Sequence, residues 1–194
     1  FGNPYTFTDC KDLATVTLNA NTNQIGVGAF MGCTALTEVI GVKETSFVSM
    51  GDGAFYGTQI DALKCFNTAT VKKFVSAFNT YTVRFETYGL VDVASIEVVQ
   101  GDSLTSLPKA GNPEGYTFDG WTSDKELKNI VTASEDEPFY VTGNTVLYAR
   151  FSYIISFETG IDGVSITPKT AYIGSKVELP ALPASVADDY TLVG

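Results

Sequence analysis

A six-residue phrase, Gly28-Ala29-Phe30-Met31-Gly32-Cys33, returns as Gly53-Ala54-Phe55-Tyr56-Gly57-Thr58, and a weaker version, Tyr5-Thr6-Phe7-Thr8-Asp9-Cys10, precedes it. The three phenylalanines stand 23 and 25 residues apart. Self-similarity at a period of this length marks an array of stacked structural repeats. Each phrase is followed by a short apolar pattern: Leu13, Val16 and Leu18, then Leu36, Val39 and Gly41, then Ile60, Leu63 and Cys65. That spacing puts the apolar residues on one side of a short strand. One such unit cannot bury its apolar side alone, whereas stacked units share a continuous core with a parallel sheet along one side. Phe7, Phe30 and Phe55 are therefore expected to line up as an internal spine. Gly26, Gly28 and Gly32 have the look of a phosphate-binding loop. The same spacing recurs at Gly51, Gly53 and Gly57 with no lysine where such a loop needs one, so the glycines read as tight turns.

The strings Ile25-x-x-x-Ala29-Phe30-x-x-Cys33-x-x-Leu36-x-x-Val39 and Met50-x-x-x-Ala54-Phe55-x-x-Thr58 resemble the BspA-like leucine-rich repeats of bacterial surface proteins. The resemblance covers about residues 5–66. It departs from the family pattern at Gly41 and Cys65, on the strand end, and at Thr58, in place of Cys. These departures make the third rung atypical, as terminal rungs often are. Residues 67–78 carry Val71, Phe74, Val75 and Phe78, a spacing that suits a short helix or a degenerate rung acting as a C-terminal cap. The first expected domain is thus 1–78.

From residue 79 the period stops and strand alternation takes over. Strands are expected at Tyr81 to Thr87, Ile96 to Val99, Leu104 to Leu107, Tyr116 to Trp121 and Thr145 to Phe151. Turn signals stand between them at Gly101-Asp102, Gly111-Asn112-Pro113-Glu114-Gly115 and Gly143-Asn144. Ser123 to Ile130 reads as one helical turn or two. The residues Val83-x-Phe85, Gly101-x-x-Leu104, Pro108, Gly115-Tyr116-Thr117-Phe118-Asp119-Gly120-Trp121 and Leu147-Tyr148-Ala149-Arg150-Phe151 make 79–152 similar to the Listeria–Bacteroides, or internalin B-type, repeat. That resemblance implies a small β-grasp-like module used in stalks of secreted or wall-attached proteins, and no catalysis.

The third expected domain, 153–194, is a second, truncated copy. Ile155-x-Phe157 repeats Val83-x-Phe85, and Gly174-x-x-Val177-x-Leu179-Pro180 repeats Gly101 to Pro108 with one residue removed. Tyr190 to Gly194 repeats Tyr116 to Gly120 and stops one position before the expected Trp. The copy lacks the closing strand, which leaves an unpaired edge. The short junction Ser152-Tyr153 favours a semi-rigid tandem. The fold class expected is mainly β, a short leucine-rich-repeat solenoid followed by β-grasp-like modules.

Chemistry is bounded by what the chain lacks. It has no histidine, which removes Ser-His-Asp and Cys-His nucleophile systems and the usual zinc sites. Carboxylates are scattered, and no pair is singled out for glycosidase chemistry. Glu135-Asp136-Glu137 lacks the alternating ligands and central glycine of a known calcium loop and reads as a solvated acidic loop. Net charge is −10, divided as −1 over 1–78, −6 over 79–152 and −3 over 153–194. No basic face exists to neutralise phosphates, so nucleic acid and anionic membrane are poor partners. No apolar run approaches the roughly 18 residues of a membrane helix. With no signal peptide, and with repeats cut at both ends, the chain reads as a piece of something longer. No enzyme activity, cofactor or metal site is expected.

Three cysteines make no disulfide framework. Cys10 and Cys33 hold the same repeat position in rungs expected about 4.8 Å apart, within a disulfide's Cα range, but side chains stacked in parallel meet that geometry badly, so buried free thiols are favoured over a rung-to-rung disulfide. Trp121, the single tryptophan, reads either as core packing or as a platform for a sugar ring.

The function these features favour is a bacterial cell-surface or secreted repeat protein, binding a host or bacterial surface protein or glycan through the leucine-rich array, with B-type repeats as stalk. Two alternatives remain: a non-catalytic appendage of a larger surface enzyme, and a mechanical spacer without ligand. Strand alternation nominates Thr15, Thr17, Thr37, Glu38, Ile40, Asp61 and Lys64 as the partner-binding face.

Overall fold

The computed structural model describes residues 1–181, 183 and 184. The repeat of Tyr116 to Gly120 at Tyr190 to Gly194 therefore lies outside the described residues. The described chain is mainly β and forms two compact units: 1–84 with 94–107 and 133–146, and 85–93 with 108–132 and the chain from 147 onward.

In the first unit, β1 (Thr15–Thr17) pairs in parallel with β3 (Glu38–Ile40), and β2 (Gln24–Ile25) with β4 (Ser49–Met50). Register follows the period: Val16 lies opposite Val39, and Ile25 opposite Met50. In each of these short strands one residue, Val16, Ile25, Val39 or Met50, is buried in the core. The spine expected from Phe7, Phe30 and Phe55 is present and one ring longer. Ring centroids are 5.4 Å apart for Phe7–Phe30, 5.4 Å for Phe30–Phe55 and 5.5 Å for Phe55–Phe78, with planes within 11° of parallel. Phe30, Phe55 and Phe78 are fully buried, and Phe7 is half-buried.

Backbone hydrogen bonds run from rung to rung beside these rings. Phe7 N donates to Ala29 O at 2.7 Å, Phe30 N to Ala54 O at 2.8 Å, and Phe55 N to Ala77 O at 2.8 Å. A second row runs from Asp9 N to Met31 O at 2.7 Å and from Gly32 N to Tyr56 O at 2.8 Å. The turns that make this possible need positive φ. Gly28 and Gly32 have φ of 57° and 74°. A Cβ on Gly28 would sit 2.5 Å from the Tyr5 ring, and one on Gly32 would collide with Asp9 Oδ1. In the first rung Tyr5 and Asp9 take the same positive φ, at 56° and 58°, as L-residues, at a steric cost.

The third rung departs from expectation. The strand read at Leu63 and Cys65 is instead helix α1 (Ala62–Cys65), capped by Asp61 Oδ1, which accepts from Lys64 N at 3.0 Å. Apolar residues at i and i+2 fit a strand, but an N-cap Asp followed by Ala-Leu-Lys starts a helix at once. A second helix, α2 (Thr68–Lys73), is capped by Asn67, and a 3-10 turn (Val75–Ala77) then returns the chain to the stack. Residues 67–78 are thus both of the alternatives, a short helix and then a rung built on Ala77-Phe78.

At the far end of the stack, Gly57 N donates to Asn79 Oδ1 at 3.2 Å, where the earlier rungs use a backbone carbonyl. Asn79 Nδ2 donates to Gln100 Oε1, and Gln100 Nε2 donates to Thr58 O at 2.9 Å. Gln100 is buried. It follows β6 (Ile96–Val99), which pairs antiparallel with β5 (Thr80–Glu86). Strands β7 (Ser103–Leu104) and β10 (Phe139–Tyr140) complete this unit as an antiparallel pair.

The second unit is built on β8 (Thr117–Thr122), β9 (Ile130–Val131), β11 (Thr145–Phe157, from Leu147) and β12 (Ile166–Tyr172). β8 pairs antiparallel with both β9 and β11. Trp121 is buried against Phe85, 4.7 Å between centroids, and Phe118, 5.1 Å, and its indole N–H donates to Pro108 O at 2.6 Å. Of its two readings, core packing is the one realised. The helical turn expected over Ser123 to Ile130 does not form. The Asp124 carboxylate instead gathers the amides of Lys128, at 3.2 Å, and Asn129, at 2.7 Å, while Leu127 takes φ of 59°, which no α-helix accommodates.

β11 runs without interruption through Ser152-Tyr153, the expected junction between copies. Beyond it, Ser152 lies opposite Tyr172 and Tyr153 opposite Ala171. Between β5 and β6, Thr80 lies opposite Val99 and Tyr81 opposite Val98. The hairpin of β11 and β12 thus pairs in the same register as that of β5 and β6.

Candidate functional site

The outward residues of β1 and β3 form a single row pair. Thr15 stands beside Glu38 and Thr17 beside Ile40, all four exposed, while Val16 and Val39 between them are buried. Thr37 is exposed and tied to the neighbouring rung, its amide donating to Ala14 O at 3.0 Å. Ile40 is 42% exposed, an apolar surface that costs solvation unless something covers it.

Five of the seven nominated residues, Thr37, Glu38, Ile40, Asp61 and Lys64, line one open depression of about 560 Å3. Thr15 and Thr17 extend its exposed face onto β1. Asp61 and Lys64 reach this place from a helix, not from the strand that nominated them. Their ion pair is 3.3 Å long, with Lys64 84% exposed, so it adds at most about 1 kcal/mol to stability and leaves the ammonium available to solvent.

The floor is made where β3 meets α1. Val39 N donates to Cys65 Sγ at 3.3 Å, so a thiol takes the place a next strand's carbonyl would hold. Burial pushes the Cys65 thiol up from its ordinary range, and the Val39 amide only partly offsets this. Cys65 thus sits in the core as a buried thiol that holds the Val39 amide. Lys43 crosses beneath, donating to Phe66 O at 3.0 Å and to Leu63 O. It satisfies carbonyls at the end of α1, as a cation does well.

Lys43 and Gln59 also line the depression, and strand alternation nominates neither. The only sequence signal for Lys43 is its place two residues past Gly41, where the chain turns off the strand. Gly41 and Lys43 are shared with an adjoining depression of about 740 Å3 lined by Asn21, Asn23, Glu44, Thr45 and Ser46. Gln59 and Asp61 are shared with a smaller one of about 220 Å3 reaching Tyr81 and Tyr140. The surface offers hydroxyl and amide groups, two acids (Glu38 and Asp61), two lysines (Lys43 and Lys64) and one exposed isoleucine. Among the described residues no three His, Cys, Asp or Glu come together to hold a metal ion, and no helix is long and apolar enough to cross a membrane. Glu135, Asp136 and Glu137 are exposed.

Two family models match the chain, one after the other. Residues 3–87 match the BspA type leucine rich repeat region (6 copies), and residues 81–150 match the Listeria-Bacteroides repeat domain. The chain carries these two kinds of repeat in that order. It is similar to two proteins of Evansella cellulosilytica. One, named "Putative membrane protein", is 34% identical over 108 residues, which is 54% of this chain and 16% of that protein. The other, named "Putative Gly-rich membrane protein", is 32% identical over 108 residues, 54% of this chain and 12% of that protein. The chain thus spans less than a fifth of the length of the curated relatives it matches. No solved structure matches it.

Proposed function

We propose that this chain belongs to a bacterial cell-surface or secreted protein in which the leucine-rich solenoid, over about 1–78, binds a partner and the β-grasp-like B-type repeats, 79–152 and 153–194, act as the stalk. The partner is a host or bacterial surface protein or glycan, and the chain performs no reaction on it. The observation that carries the reading is the exposed β1–β3 face. Thr37, Glu38 and Ile40 line one depression with Asp61 and Lys64, and Thr15 and Thr17 stand beside Glu38 and Ile40 on the neighbouring strand, on rungs whose inward residues are committed to the core. The stalk role is supported by β11, thirteen residues long and unbroken where one B-type copy passes into the next. The two families matched are repeat families, and the relatives carry membrane-protein names, which supports a place at the cell surface.

The test is a binding screen of the immobilised chain against extracellular-matrix proteins and glycan arrays. Retention of a defined ligand, reduced when Thr37, Glu38 and Ile40 are replaced together, supports the reading. A chain that retains nothing from either set contradicts a binding role for the solenoid.

A further inference from the structure

We infer that Cys10 and Cys33 are a redox pair, closed to a disulfide in an oxidising compartment, and that this bond locks the first rung onto the second. The two residues hold equivalent places in neighbouring rungs. Next to them the rungs are one backbone hydrogen bond apart, Asp9 N to Met31 O at 2.7 Å. Hydrogen-bonded strands lie about 4.8 Å apart, inside the Cα separation of about 4.4–6.8 Å that a disulfide spans.

Both cysteines converge on one acceptor: Cys33 Sγ donates to Phe7 O at 3.0 Å, and Cys10 N donates to the same oxygen at 3.3 Å. Cys33 is fully buried and Cys10 exposed, and the two side chains lie within hydrogen-bond reach of each other. Burial raises the Cys33 thiol above its usual range, and the Cys10 and Asp9 charges add to that, against the Cys10 backbone hydrogen bond. Cys10, the exposed one of the two, is the thiol a dissolved oxidant meets first.

With a small-molecule disulfide such as oxidised glutathione as oxidant, the Cys10 thiolate attacks one of its sulfurs and expels the first glutathione thiolate. Cys33, on losing its proton, attacks the Cys10 sulfur of the mixed disulfide and expels the second. The protein loses two protons and two electrons, and the oxidant becomes two glutathione thiols. Cys65 takes no part, since its sulfur is buried and holds the Val39 amide.

Occurrence of this bond in the cell rests on the surface location proposed above. The chemistry is tested apart from it, in a defined glutathione redox buffer. After oxidation and denaturation, titratable thiols are expected to fall from three to one, and the mass to fall by two hydrogens. Trypsin cleavage after Lys11 and Lys43 should release the peptides bearing Cys10 and Cys33 joined to each other. In Cys33→Ser a glutathione adduct should persist on Cys10, and in Cys10→Ser no adduct should form. Three remaining thiols, a persistent adduct in the unaltered chain, or a Cys10–Cys10 dimer would each overturn the inference.

Discussion

Phe30 and Phe55 lie ring against ring, centroids 5.4 Å apart and planes 11° from parallel, although 25 residues separate them along the chain. That contact couples sequence period to architecture. It can form only if one turn of chain returns its phenylalanine directly over the last. Phe7 and Phe78 extend the same column on either side.

Removing a ring from the middle of the column leaves a cavity between two neighbours that are themselves fixed by backbone bonds. Phe30→Ala is expected to cost about 3–5 kcal/mol. Phe7→Ala, at a half-buried position, is expected to cost clearly less. Urea melts of the two variants check the order as well as the size; equal losses, or a Phe30 loss under about 1 kcal/mol, contradict a buried spine.

Gly32 answers two constraints, its φ of 74° and the closeness of Asp9. Gly57, with φ of 76°, answers the first, since a Cβ there meets Gly32 at an ordinary 3.4 Å. Each Gly→Ala change carries the left-handed cost of about 1–2 kcal/mol, and Gly32→Ala is expected to cost more than Gly57→Ala. Adding Asp9→Ala should recover the excess at Gly32 and none at Gly57, which a double-mutant cycle measures directly.

Gln100 joins the end of the stack to the strands that follow it. Gln100→Ala leaves Thr58 O and the Asn79 amide without this partner. A loss of about 1–3 kcal/mol is expected for buried groups left unsatisfied. Hydrogen exchange at Gly57 and Thr58 should quicken in the same variant. Unchanged stability would show that water serves these groups as well.

These residues also mark how far the sequence could be read. The period of Phe7, Phe30 and Phe55 exposes the stack because burial repeats where the chain repeats. Val16 and Val39 expose the strand register for the same reason. The third rung is opaque because Leu63 and Cys65 satisfy strand spacing while Asp61, a local cap, decides for helix. Leu127 hides its positive φ, since a leucine carries no signal for it, and the Asp124 carboxylate that fixes the turn looks like any surface acid. Gln100 is invisible for a different reason: its partners Thr58 and Asn79 are distant in sequence, and amide contacts have no period. Around the candidate site, alternation finds the strand positions and misses Lys43 and Gln59, which arrive from connectors.

The Asp124 turn gives a pH dependence. Backbone hydrogen bonds, that of Asn129 first and that of Lys128 after a smaller opposing effect of burial, hold its carboxyl below the ordinary range. The unfolded chain then binds the proton at higher pH than the folded one. The contribution is complete above the unfolded value of about 3.9 and disappears as pH falls through the lower folded value. Acid titration of Asp124→Asn, followed by the fluorescence of Trp121, should show a shallower loss of stability at low pH than the unaltered chain. Identical acid limbs would remove Asp124 from the account.

The most direct test of the interaction face is the dissociation constant of a ligand retained by the immobilised chain, measured for the joint replacement Thr15→Ala, Glu38→Ala and Ile40→Asp and, in parallel, for Lys169→Ala on β12. The β1–β3 variant is expected to bind at least about tenfold more weakly, a change of about 1.4 kcal/mol, with its melting curve unaltered and Lys169→Ala without effect. Equal affinity in all three proteins, or loss in the β12 variant alone, would contradict a binding role for the leucine-rich face.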